Sequence, residues 1–459
     1  MRPSRYRPPI MGRLDDPRPG RRLIRAIVAF VAVGLVASAA LALTTVAAPD
    51  PSAPSLAAAT PASAPAASAA ATPPAPSAKP TPRPMLIVPQ PPSRAADRAI
   101  TVRARLQTEL DALRARLAIP GVSVTIMFRD GSSWSGVSGN AVVAGDVAVQ
   151  NGTAFALGSI SKTYTAALIL ALAGDGAIDL DASARSYVKE MPLDPKITIR
   201  QLLNHTSGLD DYFLHPGIDK ALLADRGAFW SVRRTLKYVA KPYFPPGRGW
   251  HYSNTNYLYL GLIAERVAGV PLAKALQDRF FGPLGLDHTW YQAVAKARAP
   301  VAHGYRFASS RRDSPPLDLS DGSSVAPFTS VVSAAGGAGS IAATSSDLAQ
   351  WARLLYGGKV LGPEMTAEML NGVAATAGYK PRVPYGLGVQ AFPIDGRLTL
   401  GHSGRLLGFR AAVRHIPSEA LTIAVLTNQS RADPGLIVEQ LLGVIFAPDA
   451  PCFSCQHPS

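Results

Sequence analysis

The 459-residue sequence is poor in cysteine and lacks the short motifs that mark most metal-dependent enzymes. Its two cysteines, Cys452 and Cys455, lie in the last eight residues, where only His457 accompanies them. These residues fall short of the four ligands of a structural zinc site, so a local disulfide or free thiols is the simpler interpretation. The metalloprotease pattern His-Glu-x-x-His is missing, and so is the Gly-x-Ser-x-Gly of α/β-hydrolases. We therefore expect no metal site and no cofactor.

The sequence also lacks runs of basic residues with interleaved aromatic residues. The net charge is +15, but residues 1–25 hold eight Arg against two Asp and carry +6 of that total. The remaining charge is thinly spread, which gives no support for nucleic-acid binding. A glycine-rich stretch at 337–342 is discounted as a dinucleotide-binding turn, because the strand that should precede such a turn is not expected there.

The N-terminal part of the sequence predicts export from the cytoplasm. Residues 1–25 form a basic cytoplasmic segment, and residues 26–48 are 23 uncharged residues, long enough to span a bilayer. We expect a transmembrane anchor, with a cleaved signal sequence as the alternative, because small-residue cleavage sites are present. Residues 49–94 are rich in Pro, Ala and Ser and predict a disordered linker. The rest of the chain should then lie outside the cytoplasm, attached to the cell membrane or secreted.

Residues 95–447 have a globular composition, and residues 448–459 read as a C-terminal tail. Apolar spacing predicts an amphipathic helix first, then a hairpin around Asp130-Gly131. A helix or strand over 197–203 and an irregular helical stretch over 210–243 follow. Further helices are predicted over 256–267, 345–356 (capped by Ser345-Ser346-Asp347) and 436–446, and strands over 398–400, 409–415 and 421–427. We predict an α+β fold, in which helices flank a central antiparallel sheet closed by both ends of the chain, with an all-helical insertion lobe.

One stretch carries a recognisable chemistry. Ser159 precedes Lys162 by three residues at the start of an apolar run, and residues three apart are neighbours on a helix surface. A serine at a helix N-terminus with a lysine in reach of its proton is a plausible nucleophile. The same spacing recurs at Ser186 and Lys189, which we interpret as ordinary surface.

Two later segments offer partners for this serine. Tyr252 can pass a proton, and Asn254 can orient a lysine or bind a substrate amide. His402 and Gly404 lie in a loop-and-strand region, where an exposed edge could bring His402 and backbone N–H groups beside the serine. His215 also has the His-x-Gly spacing, so the ordered set counts for more than any single element.

Ser159-x-x-Lys162, Tyr252-x-Asn254 and His402-x-Gly404, in this order, resemble the three active-site elements of the penicillin-recognising serine hydrolases. The similarity is greatest to class C β-lactamases, serine D-Ala-D-Ala carboxypeptidases and related esterases and D-aminopeptidases. It runs from about residue 100 to 445. Further stretches that look like family landmarks are 204–209, 244–247, 336–337 with 345–347, 385–388, 401–404 and 408–409.

The resemblance implies a role for each of these residues. Ser159 would be the nucleophile, Lys162 the base or proton shuttle, Tyr252 a partner in acylation and deacylation, and Asn254 an orienting residue. Substrate binding would fall to Asn254, His402, Gly404 and Arg405, with the backbone N–H groups of Ser159 and Arg405 as the oxyanion hole. A histidine at 402 departs from the lysine of the β-lactamases proper and resembles some D,D-peptidases and D-aminopeptidases.

The sequence leaves the substrate open. D-Ala-D-Ala-type peptides, D-amino-acid amides, esters and β-lactams share the same core chemistry, and pocket shape decides among them. We expect a small-molecule or peptide substrate, with peptidoglycan stem peptides among the candidates. The alternative is a non-catalytic or slowly deacylating envelope sensor, which the presence of Tyr252 disfavours because a sensor needs no deacylation machinery.

Overall fold

The computed structural model describes residues 94–292, 294–307 and 314–447. The predicted basic segment, the predicted anchor or signal sequence, nearly all of the predicted linker and the C-terminal tail lie outside these residues. Within the described part, no helix combines the length and the apolar character needed to cross a bilayer.

The described chain alternates helices with short and long strands. The helices are α1 (Arg94–Arg116), α2 (Ser161–Gly174), α3 (Ile199–Leu203), α4 (Ile218–Ala224), α5 (Val232–Thr235), α6 (Asn254–Ala268), α7 (Leu272–Leu276), α8 (Thr329–Ala335), α9 (Ser345–Tyr356), α10 (Pro363–Ala377) and α11 (Pro434–Phe446). The strands are β1 (Gly121–Met127), β2 (Ser133–Val142), β3 (Val147–Ala148), β4 (Phe155–Ala156), β5 (Thr289–Tyr291), β6 (Tyr305–Phe307), β7 (Pro316–Asp318), β8 (Ile341–Ala343), β9 (Gln390–Ile394), β10 (Arg397–Leu406), β11 (Phe409–Ile416) and β12 (Leu421–Thr427).

Seven strands form one antiparallel sheet in the order β3-β2-β1-β12-β11-β10-β9. The first and last long strands of the chain therefore pair in the middle of the sheet, with Val124 opposite Val425. Two small sheets accompany it, β4-β8-β5 and β6-β7. The predicted α+β fold, with a central antiparallel sheet and flanking helices, is confirmed.

Alternation along β1 explains how the sheet is covered on both faces. Val122, Val124 and Ile126 are fully buried in one apolar cluster with residues of the terminal helices α1 and α11. Ser123 and Thr125 are also buried, and their hydroxyls lie 2.9 and 2.8 Å from Ser345 Oγ at the start of α9. The terminal helices thus cover one face and α9 covers the other, where the larger apolar cluster begins. Helices α2–α8 and α10 contribute to this cluster and are called the helical lobe below.

Most predicted elements are present, and several boundaries differ. The stretch that could have been helix or strand is α3, because Thr198 and Gln201 form a reciprocal capping box at its start. The cap predicted at Ser345 is wrong: Thr344 accepts the hydrogen bond from Asp347 N, so the serine already lies inside α9. β10 runs well beyond the three residues predicted, because the polar and glycine residues of 401–404 continue the strand.

We expect α11 to make a large contribution to stability through its buried face. Leu441 is fully buried between α11, α1 and the sheet, whereas Leu436 on the same helix is 43% exposed. Leu441→Ala should lower the free energy of unfolding by about 2–5 kcal/mol. Leu436→Ala, the matched control, should change it by less than about 0.5 kcal/mol. Urea unfolding of both variants tests this, and equal effects would contradict the assigned packing.

Candidate active site

The turn that carries Ser159 lies between β4 and α2. Residues Gly158–Ile160 form a 3-10 turn, and the α-helix proper begins only at Ser161. The predicted helix start at Ser159 is therefore two residues too early, although the turn leads directly into the helix. Ser159 itself is 8% exposed, so its hydroxyl lies at the floor of the site rather than on the surface.

Helix α2 holds Lys162 rigidly because the helix is buried on every side. Each residue from Ser161 to Ala171 is buried, which is the pattern of a central core helix. The segment after α8 is tied to it by two hydrogen bonds: Thr165 Oγ1 donates to Gly337 O, and Ile341 N donates to Ser161 Oγ. This contact brings the carbonyl of Ala338 into the site.

The Lys162 ammonium makes three contacts and is fully buried. Its Nζ lies 3.1 Å from Ser159 Oγ, 2.7 Å from Asn254 Oδ1 and 2.8 Å from Ala338 O. None of these partners carries a charge. The structure therefore brings together the serine and lysine singled out from the sequence, whereas Ser186 and Lys189 are both exposed.

Burial sets the ionisation of this lysine. Removing the ammonium from water lowers the pKa of Lys162 to about 7, although the negative charge of Asp211 opposes the shift. A lysine with an ordinary pKa of ~10.4 is almost fully protonated at neutral pH. At the lowered pKa, a large fraction is neutral at pH 7, and a neutral Nζ can accept the Ser159 hydroxyl proton.

Tyr252 also lies beside the Lys162 side chain. Lys162 Nζ is 5.0 Å from the centre of its ring. The Tyr252 hydroxyl is buried and makes no hydrogen bond of normal geometry with the described residues. The nearby Ser159 hydroxyl nevertheless lowers the pKa of Tyr252 in part. Burial is the larger effect and raises the pKa of Tyr252 well above its ordinary value. Tyr252 is therefore a neutral phenol, able to donate a proton.

Asn254, the first residue of α6, connects the lysine to a carboxylate. Its Nδ2 donates to Asp211 at 3.1 Å from Oδ1 and 2.9 Å from Oδ2. Asp211 is 5% exposed and also accepts a hydrogen bond from Phe213 N at 3.2 Å. Burial raises the pKa of Asp211, and the hydrogen bond from Phe213 N and the charge of Lys162 oppose this. No motif in the sequence indicates a role for Asp211; the one local signal is the Asp210-Asp211 pair that follows the landmark at 204–209.

His205 fixes the segment that carries Tyr252 and Asn254. Its backbone has a left-handed φ of 64°, and its side chain is fully buried. The Nδ1 atom accepts hydrogen bonds from Ser253 N at 3.2 Å and from Asn256 Nδ2 at 2.9 Å. The ring lies 4.3 Å from the Tyr252 ring, centre to centre. His205 thus positions Tyr252 through ring packing and through the hydrogen bond that it accepts from the backbone of Ser253, and proton transfer plays no part in this role.

In the predicted loop-and-strand region, His402 lies within strand β10, and its side chain is 1% exposed. Nδ1 lies 2.7 Å from its neighbour's carbonyl, Ser403 O, so Nδ1 carries the proton. Nε2 must then accept the hydrogen bond from the Tyr385 hydroxyl, at 2.9 Å. Burial, helped by the charge of Lys162, lowers the pKa of His402 to about 3. His402 is therefore neutral, with both nitrogens bonded to neighbouring residues, and its role in substrate binding stays a prediction.

The predicted edge beside the serine is provided by the end of β10. Strand β9 pairs with β10 only as far as Gly401, opposite Gln390. Beyond that point the serine turn takes the place of a neighbouring strand. A Cβ on Gly404 would lie 2.0 Å from Leu157 O, so only glycine permits this approach.

The same approach brings Arg405 to the serine turn. A Cβ on Gly158 would lie 2.7 Å from Arg405 C and O and 2.9 Å from Arg405 N. The backbone of Arg405 and the turn that carries Ser159 are thus in direct contact, which is the proximity that an oxyanion hole of their two N–H groups requires. The Arg405 side chain is only partly buried.

No group of three or more His, Cys, Asp or Glu side chains in the part of the chain that the structure describes could hold a metal ion.

Comparison with known proteins gives relatives of one family. The Beta-lactamase family model matches residues 106–441. A D-aminopeptidase from Gluconobacter oxydans is 27% identical over 365 residues, which cover 78% of this chain but only 65% of that protein. Penicillin-binding protein 4 from Amycolatopsis lactamdurans is 28% identical over 343 residues, covering 71% of this chain and 85% of that protein.

Solved structures agree on the fold. A D-stereospecific amidohydrolase from Streptomyces sp. superposes with a TM-score of 0.64 at 27% identity, covering 76% of this chain and 99% of that one. A D-amino acid amidase from Ochrobactrum anthropi SV3 has a TM-score of 0.65 at 22% identity over the same share of both chains, which supports the fold alone. Since the family model spans well over half of the sequence, the chain belongs to the beta-lactamase family.

Proposed function

We propose that the protein hydrolyses amides or esters through an acyl-enzyme on Ser159. The observation that carries this proposal is the 3.1 Å approach of a buried, partly neutral Lys162 to Ser159 Oγ. In the first step, Oγ forms a bond to the substrate carbonyl carbon and its proton passes to Lys162 Nζ. The developing oxyanion is bound by the backbone N–H groups of Ser159 and Arg405.

The remaining steps use Tyr252. As the bond from carbon to the leaving group breaks, the Tyr252 hydroxyl gives its proton to the leaving nitrogen or oxygen, and Lys162 returns a proton to Tyr252. A water then attacks the acyl carbon and transfers its proton to the same pair. The bond from Ser159 to carbon breaks, Oγ regains a proton, and the acid is released. A neutral phenol beside the serine suits this shuttle.

The preferred substrates in this proposal are amides or esters of D-amino acids without a free carboxylate on the leaving group. Relatives of this chain are a D-aminopeptidase and a D-stereospecific amidohydrolase. At position 402 the site has a neutral imidazole with both nitrogens bonded, so this position supplies no cation to pair with a substrate carboxylate. Together with the two named relatives, the missing cation at position 402 favours uncharged amides over D-Ala-D-Ala-type peptides.

We also place the hydrolase outside the cytoplasm as part of this proposal. Its support is the sequence before residue 95, where a basic segment, an uncharged stretch and a Pro/Ala/Ser-rich linker follow one another. A linker of this composition would hold the domain away from a membrane surface if the uncharged stretch stays uncleaved.

Acylation should depend on pH through the lysine. The pKa of Lys162 is lowered from its ordinary value to about 7, and the base must be deprotonated to act. The rate of reaction with a labelled fluorophosphonate should therefore be low at pH 5.5, rise through about pH 7 and reach a plateau by about pH 8.5. A rate that is already maximal at pH 5.5, or that is still rising steeply above pH 10, would contradict a buried lysine base.

The two Ser-x-x-Lys copies provide a matched pair of variants. Lys162→Met removes the base without adding a charge and should slow fluorophosphonate labelling by about 10²–10⁴-fold. Lys189→Met changes the exposed copy and should leave the labelling rate unchanged. If Lys162→Met folds normally and still labels within threefold of the parent, Lys162 is not the base.

Substrate preference is tested with paired D-alanine compounds. D-Alanine ethylamide and D-alanyl-D-alanine share the acyl group and differ only in the carboxylate on the leaving group. We expect kcat/KM for the amide to exceed that for the dipeptide by at least about tenfold, and Ser159→Ala to abolish both activities. A faster reaction with the dipeptide would overturn the assigned preference. Acylation without measurable turnover of any amide or ester would favour the envelope sensor instead.

A further inference from the structure

We infer that Asp211 is a positioning residue of the catalytic machinery, which locks the Asn254 amide with its oxygen facing Lys162. The result is a continuous chain of contacts from Ser159 through Lys162 and Asn254 to a buried carboxylate. This inference rests on the proposed acyl-enzyme function.

The donors and acceptors on either side of Asn254 allow only one orientation of its side-chain amide. A protonated lysine can only donate, so the Asn254 atom 2.7 Å from Nζ must be the oxygen. An ionised carboxylate can only accept, so the atom 2.9 and 3.1 Å from Asp211 must be the nitrogen. With both neighbours in place, the amide cannot flip. Without the carboxylate, either orientation could be accommodated when Lys162 is neutral.

The carboxylate also supplies the charge that acts on the lysine through the amide. The other titratable side chains around Lys162 and Asp211 come from every neighbouring segment. They are His205, Asp210 and Tyr212 from the loop before α4, Tyr243 and Tyr252 from the segment before α6, Tyr257 from α6 itself, and His402 from β10.

Asp211 differs from these groups because its charge raises the pKa of Lys162 and so opposes the lowering caused by burial. The tyrosines have raised pKa values and the two histidines lowered ones, so all of them are neutral at pH 7. The Asp210 carboxylate is directed elsewhere and accepts a hydrogen bond from Ala240 N at 2.9 Å. Asp211 therefore stabilises the lysine in its protonated form, which is the form produced when Ser159 Oγ attacks the substrate.

A purely structural role for Asp211 is the competing interpretation. The carboxylate caps the 3-10 turn of Tyr212–Leu214 by accepting from Phe213 N. Loss of this cap would lower stability but would leave the pH dependence of acylation unchanged. A catalytic positioning role moves the pH profile, so the two interpretations predict different results.

The test is the pH profile of fluorophosphonate labelling in Asp211→Asn and Asp211→Ser. Asparagine keeps the acceptor and the shape but removes the charge, so the pKa of Lys162 should fall further. The midpoint of the acid limb should then move to lower pH by on the order of one pH unit. The plateau rate should fall by roughly ten- to a hundredfold in Asp211→Ser and by less in Asp211→Asn, because serine also removes the orienting acceptor.

Asp210→Asn is the matched control, since it changes the adjacent buried aspartate, which does not contact Asn254. Its acid limb should stay at the position of the parent protein. Thermal unfolding of all three variants identifies those that fold, and serine leaves room for water if asparagine is not tolerated.

Two outcomes separate failure of this inference from failure of the proposed function. If the parent protein is labelled at Ser159 but a folded Asp211 variant keeps the parent midpoint, Asp211 is only a structural cap. If the parent protein is not labelled at Ser159 at any pH, the proposed function fails and the inference falls with it. A shift in both Asp211 and Asp210 variants would also overturn the specific role of Asp211.

Discussion

Lys162 is buried with no carboxylate among its direct partners in the described part of the chain, and this is the constraint around which the site is built. An ammonium removed from water must either pair with an anion or lose its proton. Here, three uncharged oxygen atoms surround it, and the nearest resolved negative charge acts through the amide of Asn254. The three hydrogen bonds hold the lysine in place. Its pKa of about 7 leaves a large fraction neutral, and therefore able to act as a base, at neutral pH.

The architecture of the two lobes serves this constraint. The lysine lies on a helix buried on all sides, so its backbone position is fixed by the core of the helical lobe. The serine turn is pressed against the end of β10, where the absence of a β9 partner and the presence of Gly404 allow close backbone contact. The sheet and the helical lobe therefore meet at Ser159, and they contribute different groups to the site. The sheet edge brings backbone N–H groups, and the lobe brings the proton-transfer side chains.

Local sequence patterns predicted the parts of this arrangement that depend on neighbouring residues. The first helix, the hairpin around Asp130-Gly131 and the final strands all follow from apolar spacing and turn residues, and the order of motifs indicated Ser159 and Lys162. Contacts between distant segments could not be predicted in this way. Ala338 reaches Lys162 from 176 positions away, and Asp211 acts on it through a residue 43 positions further along.

The state of His402 shows the same limit most clearly. A histidine in a motif suggests an exposed, titrating side chain, but its charge depends on burial and on which partner takes each nitrogen. The Tyr385 hydroxyl and the Ser403 carbonyl occupy both nitrogens, and the motif contains only one of these two partners. The place of His402 in the site therefore stays a prediction, and the neutrality of its side chain could be read only from the contacts that the fold brings to it.

The most direct test of this account is to locate the covalent adduct. The protein would be reacted with a labelled fluorophosphonate at pH 8 and digested, and the modified residue would be identified by peptide mass spectrometry. The account predicts a single adduct per chain, on Ser159. An adduct on another residue, or amide hydrolysis by a protein in which Ser159 is never modified, would contradict it.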